Sequence, residues 1–215
     1  MAVLLSAFYL SAFASAPAVY VYDSFGPGNT YSNTRWLVEG SNGPHAYQAH
    51  AENFVPGISG NLSQIQLATA VLGTDPFSNF FIAQDNGSGI PGSILESFNN
   101  VANVDGLLTI DSVTTPLLQA GQKYWFCDEP ADPDSYAAWY ENSQGLTGNW
   151  AFEPSEWNWY NVGTAGYSDS VFSISVVPVP EPSNVALVLL SAGILAVPGW
   201  RRSHNLAPVY GNSEC

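Results

Sequence analysis

The stretch "QIQLATAV", residues 64–71, decides the fold class, because its side chains alternate in character at every second position. One set of alternate residues is Ile65, Leu67, Thr69 and Val71, and the other is Gln64, Gln66, Ala68 and Ala70. A period of two is typical of a β-strand with one buried face. The stretch "VFSISVV", residues 171–177, repeats the pattern, and we expect Phe172, Ile174 and Val176 to face inward.

Further strand and turn patterns fill the rest of the chain. The segments with strand character are "NFFIAQD" (79–85), "LLTIDSV" (107–113), "KYWFCD" (123–128), "YAAWY" (136–140) and "NWYNV" (158–162). Turn residues separate the strands at "DNGSGIPG" (85–92), "QAGQ" (119–122) and "GLTGN" (145–149). We therefore predict an all-β fold, an antiparallel β-sandwich of the jelly-roll type. It should have at least seven strands and no helix longer than about ten residues between Val19 and Pro180.

Charge is scarce and one-sided in this sequence. Charged residues make up 10% of the 215 residues, and the formal net charge is −14. Between residues 19 and 180 there are 16 acidic residues but only two basic ones, Arg35 and Lys123. Nucleic acid and anionic lipid would be repelled, since no basic stripe exists to bind phosphate. We predict no nucleic-acid partner. The low charge content is typical of an exported protein.

The amino terminus, "MAVLLSAFYLSAFASAPAVY", resembles a secretory signal peptide. An apolar run over residues 3–13 is followed by small residues. The sequence Ala16-Pro17-Ala18 fits the small-x-small pattern of a cleavage site. We therefore predict a signal peptide over residues 1–18. The alternative is a buried apolar helix at the amino terminus.

The stretch "VPVPEPSNVALVLLSAGILAVPGWRRS", residues 177–203, combines three features in order. Pro180, Glu181 and Pro182 form an extended step, because the prolines cannot continue a strand. Residues 185–200 carry no charge and are predicted to form an apolar transmembrane helix of about 24 Å. Arg201 and Arg202 follow the helix and would remain cytoplasmic by the positive-inside rule. Translocation would therefore stop at the arginines.

This order of features resembles the PEP-CTERM sorting signal of proteins from Gram-negative bacteria. The resemblance implies that an exosortase-type processing enzyme reads the Pro180-Glu181-Pro182 step and cuts the precursor. It also implies export through the inner membrane, which the apolar helix occupies transiently, and a final location at the cell surface or outside the cell. The predicted organisation is a signal peptide (1–18), an extracellular β-sandwich domain (19–177), a PEP-CTERM-like sorting signal (178–203) and a polar tail (204–215), with an apolar helix at each end of the precursor.

A second resemblance covers residues 61–176. The stretches "DNGSGIPGSILESF", "LLQAGQKYWFCDEP" and "AAWYENSQGLTGNWAF" are similar to the choice-of-anchor R type of extracellular β-domain. In that family a strand, a G-x-P-G loop and a later strand with an aG-x-x-YW pattern recur. The matching positions are Gly89, Pro91, Gly92, Ala120, Gly121, Tyr124 and Trp125. The resemblance implies an architecture and an extracellular location, but no chemistry.

Catalytic motifs are missing from the sequence. It contains neither the G-x-S-x-G turn of serine hydrolases nor the H-E-x-x-H of zinc proteases. His45 and His50 are five positions apart, which places them on opposite faces of a strand rather than side by side as metal ligands. We predict that the protein is not an enzyme and needs no cofactor.

Aromatic residues are concentrated late in the chain and allow two interpretations. The series is Trp139, Tyr140, Trp150, Trp157, Trp159 and Tyr160. Exposed rings would stack on sugars, which predicts a carbohydrate-binding module of the jelly-roll type with exopolysaccharide as partner. Its binding residues would be Trp139, Trp150, Trp157 and Trp159. We favour the second interpretation, in which the rings fill the core, because a strand turns only alternate residues outward.

Acidic residues also form a group, at Asp128, Glu129, Asp132 and Asp134. Carboxylate oxygens suit Ca²⁺, but the spacing and the glycine of an EF-hand loop are missing. We favour a solvated acidic loop, so these residues are weak calcium candidates and no metal site is predicted. Nearby Cys127 is expected to be a small buried side chain.

These features together predict an exported, surface-sorted, acidic protein that is a structural component of the extracellular matrix or biofilm. The alternative function is the carbohydrate-binding module. The exposure of the tryptophan rings distinguishes the two.

Overall fold

The structure is a computed structural model that describes residues 16–155, 158–163 and 166–179. The described residues contain 13 β-strands and no helix, which confirms the prediction of an all-β fold with at least seven strands. The strands are β1 (Val19–Asp23), β2 (Tyr31–Glu39), β3 (Ala49–Phe54), β4 (Gly60–Val71), β5 (Phe77–Asp85), β6 (Pro91–Ala102), β7 (Gly106–Asp111), β8 (Leu117–Leu118), β9 (Tyr124–Pro130), β10 (Tyr136–Asn142), β11 (Trp150–Glu153), β12 (Tyr160–Gly163) and β13 (Phe172–Pro178). The predicted terminal helices lie outside the described residues.

The strands form two antiparallel sheets. In the first sheet the order is β1-β13-β4-β10-β2, and β7 and β8 also pair with β4. In the second sheet the order is β12-β11-β3-β9-β5-β6. The chain alternates between the sheets, so that the described residues form a β-sandwich-like unit. None of these residues forms a helix that would span a membrane, and the predicted span over residues 185–200 lies outside them.

A single aromatic and aliphatic core joins the two sheets. The first sheet contributes Leu62, Ile65, Leu67, Trp139, Phe172, Ile174 and Val176, and the second contributes Phe54, Phe80, Ile82, Tyr124 and Phe126. The ring of Phe126 lies 5.2 Å from that of Trp139 and 5.4 Å from that of Phe172. Contacts between these rings therefore hold the sheets face to face.

The alternation predicted for β13 is correct, since Phe172, Ile174 and Val176 are all in the core. In β4 the alternation is interrupted. Leu62 pairs with Val176 and Gln64 pairs with Ser175, so a bulge near Ser63 adds an extra residue. The bulge lets Leu62 join Ile65 and Leu67 in the core.

The other end of β4 departs from the predicted pattern. The alternation places Val71 on the buried face, but Val71 is the last residue of the strand and is exposed. The same alternation places Ala68 outward, yet Ala68 is buried, because it packs against Phe25 and Val171. The outer face of β4 is therefore covered at Ala68, as its inner face is along the core.

Three strands of the first sheet meet at Trp139. Trp139 of β10 pairs with Thr69 of β4, and the next residue, Tyr140, accepts a hydrogen bond from the Val171 N–H at 2.8 Å. At this point β10 passes from β4 to the segment that leads into β13. The buried indole N–H of Trp139 donates to the Val171 carbonyl at 2.8 Å. The Trp139 side chain therefore links β10 to the segment before β13 on the core side of the sheet.

Replacing Trp139 by Phe should lower the free energy of unfolding by about 1 to 3 kcal/mol, because the Val171 carbonyl loses a buried donor and the smaller ring leaves a gap. Urea denaturation followed by circular dichroism measures the change. The matched control is Tyr140→Phe, which removes a hydroxyl that accepts an exposed hydrogen bond from Arg35 at 3.4 Å. This control should change stability by less than about 0.5 kcal/mol. Equal effects of the two variants would contradict the role given to the indole.

Candidate functional site

Five rings meet at one edge of the sandwich. Trp36 of β2 lies 5.0 Å from Trp150 of β11 and 5.4 Å from His50 of β3, measured between ring centroids. Phe152 packs against His50 at 5.4 Å, and Tyr167 lies edge-on to Trp36 at 5.4 Å. We call Trp36, His50, Trp150, Phe152 and Tyr167 the edge cluster.

The strand order explains why the edge cluster is partly open. β2 is the last strand of the first sheet, and it packs against β3 and β9 of the second. The second sheet continues past β3 with β11 and β12. Among the described residues, no strand of the first sheet follows β2 to cover these two strands. The inner face of β11 and β12 is therefore partly exposed, and core residues lie close to the surface there.

One cross-strand row shows this change from core to surface. Directly paired residues share a face of a sheet, and the row consists of Tyr160, Phe152, His50, Asp128, Phe80 and Phe98. Tyr160 at one end is 58% exposed and His50 in the middle is 2% exposed. Phe152 between them is partly exposed. The row therefore begins as a surface and ends as the core.

His50 is a neutral member of the edge cluster at ordinary pH. Burial lowers the pKa of His50 to about 4, and a hydrogen bond to the backbone of Leu37 opposes only part of this shift. Its Nε2 atom is buried and has no hydrogen-bond partner among the described residues. The indole Nε1 of Trp150 is likewise buried and without a hydrogen-bond partner among the described residues. The cluster thus contains two buried polar atoms that lack partners within the described part of the chain.

Two carboxyl groups lie behind the cluster. Glu52 is paired with Trp150 across β3 and β11, and it accepts a hydrogen bond from the Ser170 N–H at 2.8 Å. Burial raises the pKa of Glu52 well above its ordinary value, and the charge of Asp169 adds to the shift. Burial also raises the pKa of Asp169, while the Gly148 N–H that donates to it opposes the change. Both groups therefore favour the protonated form more than a free carboxyl does.

Asp128 is more isolated than either of these carboxyl groups. It is fully buried, and neither of its side-chain oxygens has a hydrogen bond of ordinary length among the described residues. Burial raises the pKa of Asp128 to about 8, and the Ser78 side chain offsets only part of the shift. The group is therefore largely protonated at neutral pH.

The tryptophans predicted as sugar-binding residues do not form one exposed group. Trp139 is fully buried and Trp150 is 8% exposed, so neither offers a free ring face. Trp159 is partly exposed but lies on the other face of the second sheet, where it packs edge-on to Phe81. Trp157 lies outside the described residues. Trp139 and Trp150 therefore fit the interpretation in which the aromatic rings fill the core.

The four weak calcium candidates do not form one loop. Asp128 and Glu129 belong to β9, and only Asp132 and Asp134 follow the strand. Asp134 accepts a hydrogen bond from Asn42 at 2.8 Å. Glu129 and Asp132 line a cleft of about 320 Å³ beside the end of β9. In the described part of the chain, no group of three or more acidic, histidine or cysteine side chains is arranged to hold a metal ion.

Cys127 is buried and free, as expected. It faces away from the central core, since it packs with Trp125, Phe81 and Ala51 on the outer face of the second sheet. Burial raises the pKa of the Cys127 thiol well above its ordinary value, and nearby carboxylates add to the shift. Such a thiol is unreactive.

His45 is separate from His50. It lies in the loop between β2 and β3, and its Nδ1 is 3.1 Å from a carboxylate oxygen of Glu39. The two histidines therefore lie on different elements, His45 in a loop and His50 in β3, and not on opposite faces of one strand.

Sequence reasoning missed most of the edge cluster. Trp36 is a single tryptophan in "NTRWLVE", and Tyr167 is a tyrosine in a loop without strand character. Tyr160 belonged to the aromatic series, but its partner Phe152 did not. The pairing of β11 with β12 and β3, together with the packing of β2 against β3, brings these rings together, and no local pattern encodes either contact.

Comparison with known proteins adds no relative to this picture. No protein-family model matches the chain, and no curated protein matches it at a significant level.

Replacing Asp128 by Asn should stabilise the protein at high pH. The folded-state pKa of about 8 lies above the unfolded value of about 3.9, so the contribution of this group to stability is present below pH 4 and lost as pH rises toward 8. We expect the Asp128→Asn variant to exceed the wild type by at least about 2 kcal/mol at pH 8 and to match it within about 1 kcal/mol at pH 4. Urea denaturation at the two pH values measures this difference.

The control for this experiment is Asp111→Asn, at an exposed position in β7. It should leave the pH dependence of stability unchanged. A difference between Asp128→Asn and wild type that is the same at pH 4 and pH 8 would contradict the raised pKa.

Proposed function

We propose that this chain is an exported, surface-sorted β-sandwich protein that serves as a non-catalytic structural component of the extracellular matrix or biofilm. Its carboxyl-terminal segment is a PEP-CTERM-like sorting signal cut by an exosortase-type enzyme. The single observation that carries the proposal is the order of Pro180-Glu181-Pro182, an uncharged run over residues 185–200 and Arg201-Arg202.

The end of the last strand supports this proposal. Pro178 of β13 pairs with Gly60 of β4, and the Val179 N–H donates to the Ser59 carbonyl at 3.2 Å. The next residue is Pro180, which has no N–H to continue the ladder. The sorting segment therefore begins in the sequence directly after the last hydrogen bond of the described sheet. The proposal expects the domain not to need the segment that follows.

The body is proposed to be a jelly roll, in agreement with the resemblance to the choice-of-anchor R type. Eight of its strands follow the order β2-β10-β4-β7 in one sheet and β3-β9-β5-β6 in the other. The chain alternates between the two sheets along these strands, as in a jelly roll. The alternative function, a carbohydrate-binding module, gains no support from Trp139 and Trp150, because both rings are buried.

The sorting proposal predicts that Glu181→Ala leaves the fold intact but reduces processing, because the processing enzyme would read this carboxylate between its two prolines. Replacing Arg201 and Arg202 by Ser should reduce membrane retention of the precursor, because the stop signal is lost. The measurement is the ratio of precursor to shortened protein in a host that carries an exosortase. The matched control, Glu214→Ala in the polar tail, should be processed like the wild type.

Two outcomes would contradict the sorting proposal. One is an equal yield of shortened protein from the wild type, Glu181→Ala and the variant with both arginines replaced. The other is a chain ending at Pro182 that aggregates with loss of its β-sheet circular dichroism. The sorting proposal instead expects that truncated chain to be soluble and to unfold cooperatively.

A further inference from the structure

We propose that the inner face of β11 and β12, together with the adjoining rings of the edge cluster, binds a neutral polysaccharide. The binding surface consists of Trp36, Phe152, Tyr160 and Tyr167. These residues differ from the four tryptophans that the sequence suggested. The inference does not depend on the proposed sorting signal.

Ring exposure is the first observation behind this inference. Tyr160 is 58% exposed and Tyr167 is 51% exposed, while Trp36 and Phe152 are partly exposed. Tyr160 and Phe152 are direct cross-strand partners and so share one face of the sheet. Sugar rings have apolar faces that stack on aromatic rings of this kind.

Support from the core is the second observation. Phe152 rests against His50 and Trp150, at 5.4 Å and 6.3 Å, and Tyr167 packs edge-on to Trp36 and Trp150. His50 and Trp150 are both buried. The partly exposed rings are therefore held in place before any ligand arrives, which lowers the entropy cost of binding.

Hydrogen-bonding capacity is the third observation. Tyr160 and Tyr167 are exposed, and each carries a phenolic hydroxyl that can donate and accept a hydrogen bond beside its ring. A ligand that carries hydroxyl groups next to apolar ring faces matches a surface that offers both stacking rings and hydroxyls. Carbohydrate has this combination.

The charge around the binding surface determines which class of carbohydrate it can bind. The carboxyl groups of Glu52 and Asp169 lie behind the cluster, and His50 is neutral. Arg35 lies on the opposite face of β2 from the cluster. Lys123 directly precedes β9, and its carbonyl pairs with β5, on the far side of β9 from β11. No lysine or arginine of the described residues is therefore part of the surface. Between residues 19 and 180 there are 16 acidic residues but only two basic ones, so a sugar polymer with carboxylate or sulfate groups would be repelled and the ligand is neutral.

The size of the surface sets the length of the ligand. The paired strands β12 and β11 lie about 4.8 Å apart, and the Trp36 ring lies 5.0 Å from that of Trp150 of β11, so that the surface spans roughly 10 Å. The surface is therefore longer than a single sugar unit and suits an oligomer. Single sugars should bind much more weakly than oligomers, because they cover only part of the ring surface.

Affinity electrophoresis of the full-length protein tests this inference. Native gels contain a soluble β-1,4-glucan, a soluble β-1,3-glucan, a galactomannan or, as the anionic probe, polygalacturonate. We expect at least one neutral polymer to retard the wild type and polygalacturonate to have no effect. Tyr160→Ala and Tyr167→Ala should each weaken binding about 3- to 10-fold, because each removes one stacking ring. Tyr160→Phe should bind within about 2-fold of the wild type, since the ring remains.

The matched control is Tyr20→Ala. Tyr20 is 60% exposed in β1, at the opposite edge of the first sheet from β2, and its loss should leave binding unchanged. Three results would overturn the inference: no retardation by any neutral polymer, equal losses from Tyr20→Ala and Tyr160→Ala, or stronger retardation by polygalacturonate than by the neutral polymers. Cooperative unfolding of each variant by circular dichroism shows that a loss of binding is not a loss of fold.

Discussion

The hydrogen bond from the Trp139 indole to the Val171 carbonyl lies where β4, β10 and the segment before β13 meet. Much of the structure depends on this junction. β10 is the strand through which β2 is attached to the first sheet, and Trp139 is the direct cross-strand partner of Trp36. The position of Trp36, and with it the edge cluster, is therefore set by a side chain in the middle of the core. A change at Trp139 would be transmitted to the partly exposed rings through one strand pair.

The scarcity of basic residues determines how buried carboxyl groups are accommodated. With only two basic residues between residues 19 and 180, hydrogen bonding has to take the place of ion pairing. Glu96 accepts bonds from the Ser112 hydroxyl and from the N–H groups of Val113 and Thr114. Burial alone would raise the pKa of Glu96, but these bonds lower it overall. At Asp128 the Ser78 side chain offsets only part of the effect of burial, and the pKa is raised. The direction of the shift therefore depends on how far the donors offset burial: those around Glu96 lower its pKa, whereas those from Ser170 leave the pKa of Glu52 raised.

The sequence predicts those strands whose inner face is apolar and fails where that rule is broken. β13 carries a clear alternation, and β9 is recognisable by its apolar run from Tyr124 to Cys127. β3, "AHAENF", turns His50 and Glu52 inward and its alanines outward, so its alternation of polar and apolar residues is the reverse of the expected one. β6 begins at Pro91, a residue typical of a turn. A polar residue that faces the core has no local sequence pattern that shows its burial. For this reason the sequence predicts Asp128 to lie in a loop and does not predict that His50 is buried. The edge cluster depends on pairings between strands that are distant in the sequence, so the sequence predicts it even less well.

The unequal width of the two sheets links the core to the surface. Because β11 and β12 extend past β3, the row that starts at buried Phe80 reaches Tyr160 without leaving the same face of the sheet. Packing that stabilises the fold at one end of this row therefore also supports Phe152, the ring next to Tyr160. Gly163, opposite Trp150, adopts φ of 72°, a conformation that a side chain would strain. The edge of the second sheet thus combines a surface of supported aromatic rings with a backbone conformation at Gly163 that few other residues would adopt.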